Sequence, residues 1–149
     1  MPGPASLPTI MRALLVLCLL TAPALADVDA SGSYDVKFEE VGHNCDPPPV
    51  AMTRSKLVVA TNPRRNSLTV NIDTIPEMVG VPEHGGKIKA TTIKVLATTV
   101  QGLDARYSVA GKVDDSGVVQ LVLTAEYQRH DNHKPYCTQS WNVTGTREH

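Results

Sequence analysis

Three histidines and one glutamate are the side chains of this sequence whose types could form a metal site. His130 and His133 lie in one short polar segment, and His43 lies much earlier in the chain. Cys45 follows His43 closely, and Cys137 follows His133 closely. A disulfide between these cysteines would bring the three imidazoles near one another. Neutral imidazole nitrogens with a carboxylate suit zinc or copper. The hypothesis is therefore a zinc or copper site at His43, His130, His133 and Glu40, with a solvated turn as the simpler alternative.

Motifs of the common enzyme classes are absent from the sequence. It contains no Gly-rich phosphate loop and no His-Glu-x-x-His metalloprotease helix. His84-Gly85-Gly86 is similar to the oxyanion loop of some hydrolases, but no Gly-x-Ser-x-Gly elbow accompanies it. We therefore expect a protein that is not an enzyme and that has no organic cofactor.

Composition and charge narrow the class of partner. Among 149 residues, Lys and Arg number 14 and Asp and Glu number 15, so the formal net charge is −1. A balanced charge with scattered basic residues favours neither nucleic acid nor an anionic membrane surface as partner. Aromatic residues make up 4% of the chain, which also argues against stacking platforms for single-stranded nucleic acid.

Residues 1–26 have the features of a secretory signal peptide. Arg12 precedes an apolar run over 13–20, and Ala24 and Ala26 form an A-x-A cleavage site. The run is shorter than the ~20 residues of a membrane-spanning helix, and no later segment approaches that length. We expect cleavage before Asp27, and a mature protein that is secreted or periplasmic.

The mature chain, residues 27–149, has the size of one domain and retains two cysteines, Cys45 and Cys137. An even pair in an exported protein is most simply a disulfide, because that compartment is oxidising. Two buried thiols are the alternative. The predicted disulfide would tie the segment after the first strand to the start of the last strand.

Alternation with period two predicts antiparallel strands with one apolar face. In the first strand Tyr34, Val36 and Phe38 share a face, and the pattern is clearest over 119–127. Turn signals such as the segment 114–117 separate the strands. Sequential hairpins give an all-β, up-and-down meander that closes into a barrel, with a β-sandwich as the alternative.

The cysteines also constrain the number of strands. Cys45 follows the first strand and Cys137 opens the last, so they meet at one rim only if those strands are antiparallel. This requires an even number of strands in a meander. Seven runs are clear, and either 87–101 or 78–81 could supply one more. The sequence therefore predicts a barrel of about eight strands.

The two ends of the mature chain resemble those of lipocalins. Gly32-Ser33-Tyr34 opens the first strand as Gly-x-Trp does in that family, with Tyr in place of Trp. Arg147, after the last strand, is similar to the arginine that covers the aromatic ring in lipocalins. The resemblance implies a cup-shaped barrel that binds small apolar molecules.

An apolar segment with two prolines, 75–82, is followed by a histidine and two glycines. On a barrel rim it could form a lid or a docking surface, or it could plug the barrel end. The residues that could contact a ligand or partner there are Ile75, Met78, Val79, Val81 and His84.

Three functional hypotheses follow. The leading one is an exported barrel that holds a small, mostly apolar ligand, with Gly111 on the inward phase adding room. The second is a filled barrel, such as an inhibitor, that contacts a protein partner through the 75–86 loop, and the third is a metal-binding module at the histidine rim. An interior cavity of roughly 300 Å³ or more would favour the first over the second. Asn142 heads a glycosylation sequon, which matters only if the source is eukaryotic.

Overall fold

The structure is a computed structural model that describes residues 27–149. The predicted signal peptide, residues 1–26, lies outside the described residues. The strands are β1 (Gly32–His43), β2 (Arg54–Asn62), β3 (Ser67–Ile72), β4 (Ile75–Gly80), β5 (Lys87–Thr92), β6 (Leu96–Ala97), β7 (Leu103–Val113), β8 (Val118–Arg129) and β9 (Pro135–Arg147), and a 3-10 turn spans His84–Gly86. Within the described range, the chain forms no helix with the length and apolar character of a membrane-spanning helix.

Eight of these strands close an antiparallel barrel, which confirms the predicted fold class. Each barrel strand pairs with the next one along the chain, β5 pairs with β7, and β1 pairs with β9 to close the ring. The two residues of β6 pair with the start of β7. The architecture is therefore an up-and-down barrel and not the alternative β-sandwich.

Both segments that could supply the eighth strand form barrel strands, so the other runs supply six barrel strands and not the seven that the sequence pattern indicated. Residues 78–80 belong to β4, and residues 87–92 form β5. The barrel strand β5 ends at Thr92. The apolar residues also change from the inner to the outer face at this point, since Ile88 is buried and Ile93 is 76% exposed. The change of phase in the sequence therefore marks the end of a strand.

The predicted disulfide between Cys45 and Cys137 is present, with the two Cα atoms 5.2 Å apart and the residues 92 positions apart in sequence. Cys45 lies just beyond β1, and Cys137 lies near the start of β9, the strand that pairs with β1. The bond therefore joins neighbouring strands at one end of the barrel, and it is consistent with an exported protein.

Inward side chains fill the barrel. The bulkiest of them are at most 2% exposed: Trp141, Tyr34, Tyr127, Leu57, Leu68, Met78, Ile88 and Leu123. In a hollow barrel the inward side chains would be accessible to water in the lumen, whereas these side chains are inaccessible to water. Within the described part of the chain the interior is therefore a packed core, without the lumen of about 300 Å³ that a small ligand needs.

Gly111 does not add room to the interior, contrary to the expectation from its inward phase. A Cβ atom at this position would lie 2.0 Å from the carbonyl oxygen of Gln120 on the neighbouring strand. The glycine therefore permits a close approach between the backbones of β7 and β8.

Candidate functional site

A groove of about 540 Å³ lies on the outside of the barrel, where β4, β5, β7 and β8 run side by side. Strand register explains how it forms. Val79 lies opposite Thr91, Thr91 opposite Ser108, and Ser108 opposite Thr124. Directly opposed residues of antiparallel strands share a face, so these four short side chains form one row on the outer surface.

A second row of outward residues runs parallel to the first. Lys89 lies opposite Ala110, and Ala110 lies opposite Val122. Val81 and Glu83, from the segment after β4, complete one side of the groove. We refer to the site formed by these two rows and this segment as the outer groove.

The apolar side chains of the outer groove depart from the usual polar outer face of a barrel. Val122 is 44% exposed, although its outward neighbours on β8, Gln120 and Thr124, are polar. Val81 is 56% exposed. The valine on the polar phase of β8 is the signal in the sequence that points to this surface, and the predicted site residues do not include it.

The structure divides the residues predicted for the 75–86 loop between three environments. Val79 and Val81 line the outer groove, whereas Met78 is fully buried in the core and Ile75 packs against it. His84 lies in the 3-10 turn, where its Nδ1 is 2.9 Å from a carboxylate oxygen of Asp27. Half of the predicted loop is strand β4, where Met78 is an inward residue of the core.

The structure does not bring the predicted metal ligands together. His43 Nε2 lies 3.8 Å from Oε1 of Glu40, whereas His130 Nδ1 lies 3.0 Å from a carboxylate oxygen of Asp104, and His133 lies in the β8–β9 connection. The reason is strand register: His43 is level with Gln139 of β9 and Ala125 of β8, whereas His130 lies in the connection beyond the end of β8. Among residues 27–149 no three His, Cys, Asp or Glu side chains are arranged to hold one ion.

A buried polar cluster closes the barrel end that carries the disulfide. The Tyr127 hydroxyl donates to Oε1 of Gln139 over 2.9 Å, and Nε2 of Gln139 donates to the carbonyl oxygen of Val50 over 2.7 Å. Gln139 is fully buried, and Val50 and Met52 pack against the core. The connection between β1 and β2 therefore covers this end of the barrel. Gln139, a polar residue on the inward phase of β9, is the signal in the sequence for this cluster, and the predicted site residues do not include it.

Burial raises the pKa of Tyr127, and the neighbouring Tyr107 and Glu40 raise it further. The folded state therefore favours the neutral phenol, so stability should be complete below the unfolded pKa of about 10 and should fall as the pH rises above it. We expect the free energy of unfolding to decrease between pH 9.5 and 11.5, and to decrease less steeply in Tyr127→Phe. Urea denaturation across this range measures both slopes. Tyr136→Phe, at a 40% exposed tyrosine, is the matched control, and equal slopes for Tyr127→Phe and the wild type would contradict the assignment.

Asn142 lies on the exposed face of β9, directly opposite Val122 of the outer groove. A glycan at this residue would stand beside the groove and not in the core. Its glycosylation stays a prediction that depends on a eukaryotic source.

The barrel end opposite the disulfide is covered by Arg147. Its guanidinium lies over the ring of Tyr34, with Cζ 5.4 Å from the ring centroid, and Nη2 donates to the Tyr34 hydroxyl oxygen over 2.9 Å. This contact and the closed barrel are compatible with a lipocalin-like fold. Comparison of the chain with protein-family models, with curated proteins and with solved structures gives no match.

Proposed function

We propose that the protein is an exported binding module that holds a small, mostly apolar ligand in the outer groove and not inside the barrel. The observation that carries this proposal is an apolar groove on the outside of a barrel whose interior is packed. Its volume of about 540 Å³ falls within the range of roughly 300–1,000 Å³ that is typical of small-molecule sites.

The chemistry of the groove supports an apolar ligand with few polar contacts. Val79, Val81, Ala110 and Val122 supply apolar surface, while the hydroxyls of the first row could orient a ligand. Val81 and Val122 leave a large fraction of their surface in water, and a ligand that covered them would gain hydrophobic free energy. Apolar side chains clustered on an otherwise polar face are typical of a binding surface.

A neutral apolar dye tests this proposal. We expect Nile red fluorescence to rise on binding, and Val122→Glu to weaken that binding about tenfold or more, because it places a charge in an apolar site. Val41→Glu is the matched control, because Val41 is similarly exposed, at 53%, and lies on β1 away from the groove. Equal binding by the wild type and Val122→Glu would show that the dye occupies another site and would contradict the proposal.

A protein partner is the second candidate, because a filled core is what that hypothesis expects, and because Val81 and Glu83 line a groove that is open along one side of the barrel. Native mass spectrometry of the protein purified from its own host separates the two. A retained small molecule that Val122→Glu releases would favour the first candidate, and a retained polypeptide that the same variant releases would favour the second.

A further inference from the structure

Three lysines gather at one end of the outer groove, although the basic residues are scattered in the sequence. Lys87 of β5 lies directly opposite Lys112 of β7, and Lys89 stands two residues further along the same face. A second depression, of about 470 Å³, is lined by all three lysines. It shares Glu83, Lys89 and Ala110 with the outer groove, so the two form one continuous surface.

The charge of this cluster is only partly compensated. Like charges directly opposite on neighbouring strands destabilise a sheet, and none of the ion pairs among residues 27–149 includes these three lysines. Glu83 lines the same depression, and Asp114, whose pKa is lowered mostly by hydrogen bonds from Ser116 and Val118, lies close enough for the Lys112 charge to lower it further. The carboxylate of Asp114 is already engaged by Ser116 and the Val118 amide in the β7–β8 turn. A net positive charge therefore remains beside an apolar groove.

We infer, on the basis of the proposed function, that the outer groove binds an anionic single-chain amphiphile. Its head group would lie among Lys87, Lys89 and Lys112, and its tail would follow Ala110 and Val122 toward Val79. From Lys112 to Ser108 is four residues along β7, or about 13 Å, which matches an extended tail of roughly ten carbons.

The geometry favours a free amphiphile over the surface of a bilayer. A surface that inserts into lipid presents projecting apolar side chains. Here the apolar side chains line a depression, and the charged side chains stand at one end of it. A ligand with one narrow tail fits this arrangement.

Three ten-carbon probes that differ in head-group charge test the inference: decanoate, decanol and decyltrimethylammonium, each below the concentration at which it forms aggregates. Titrations followed by two-dimensional amide NMR should show decanoate shifting the signals of Ala110, Val122 and Thr124. We expect decanoate to bind about tenfold more tightly than decyltrimethylammonium, with decanol between them.

Variants of the lysines show whether attraction between the lysines and the charged head group causes the difference in affinity between the probes. Lys87→Gln/Lys112→Gln should weaken decanoate binding about tenfold and leave decanol binding unchanged. Lys37→Gln/Lys134→Gln removes the same number of charges from β1 and from the β8–β9 connection, and it should leave both affinities unchanged.

The possible outcomes distinguish a failure of the inference from a failure of the proposed function on which it rests. Equal affinity for all three probes, unaffected by the lysine variants, would overturn the inference and leave the proposed function standing. If no ten-carbon probe shifts the signals of the groove residues, both are overturned. Lysine-dependent binding to phosphatidylglycerol vesicles without binding of monomeric decanoate would overturn the choice of a free amphiphile.

Discussion

Replacing both Cys45 and Cys137 with alanine is expected to lower the free energy of unfolding by about 4 kcal/mol, because the disulfide closes a very long loop in the unfolded chain. The two residues are 92 positions apart in sequence, and loss of the bond gives the unfolded chain much more conformational freedom. Urea denaturation followed by the fluorescence of Trp141, the single tryptophan of the chain, measures the change.

Removal of the disulfide is expected to lower the free energy of the unfolded state more than it changes that of the native barrel. His43 of β1 still pairs with Gln139 of β9 beside the disulfide, so the strands that it joins keep their backbone hydrogen bonds. Asn44→Ala is a useful comparison, because it removes a hydrogen bond from the Thr138 amide to the Asn44 side chain at the same end of the barrel without changing the chain connectivity. We expect it to cost about 1 kcal/mol.

Reduction of the wild type should reproduce the stability of the double alanine variant. A double variant within about 1 kcal/mol of the wild type would contradict the loop-closure argument, because it would mean that the unfolded chain is constrained without the disulfide.

The fold could be predicted from the sequence because its two determinants are visible there. Alternation is local, so Tyr34, Val36 and Phe38 identify an inward face without knowledge of any neighbour. The positions of Cys45 and Cys137 add one long-range constraint, and an even number of strands follows from it. The closed eight-stranded barrel confirms both arguments.

The outer groove could not be predicted in the same way, because cross-strand register creates it. Thr91, Ser108 and Thr124 are ordinary outward residues of their own strands, and they become neighbours only when β5, β7 and β8 pair. Lys87 and Lys112 are far apart in sequence and come together by the same register. Val122, an apolar residue on a polar phase, was the local signal.

The packing of the interior also could not be predicted from the sequence pattern. Alternation tells which side chains point inward, but whether they meet in the middle depends on the radius of the barrel and on the stagger between its strands. Trp141 and Tyr127 are inward residues in either case, and here they fill the space that a ligand would need. The separation of His43 from His130 likewise depends on strand register, which the sequence pattern does not give.

Gly145→Ala is expected to lower the free energy of unfolding by about 1–3 kcal/mol, because an added methyl group has no space. A Cβ atom at Gly145 would lie 1.9 Å from the carbonyl oxygen of Asp35 and 2.9 Å from the Cα atom of Val36. Both contacts are with the backbone of β1, which a rotation of side chains cannot relieve. The substitution should therefore push β1 away from β9 at the place where the barrel closes.

Gly42→Ala is the matched control, since Gly42 belongs to the same pair of strands and a Cβ atom there would meet nothing within 4 Å. Neither glycine has a positive φ, so alanine is compatible with the backbone at both positions, and by itself it would stabilise by about 0.4–1 kcal/mol. Urea denaturation should therefore show opposite signs for the two variants. If Gly145→Ala were as stable as Gly42→Ala, the close approach of β1 and β9 would not be a requirement of the closed barrel.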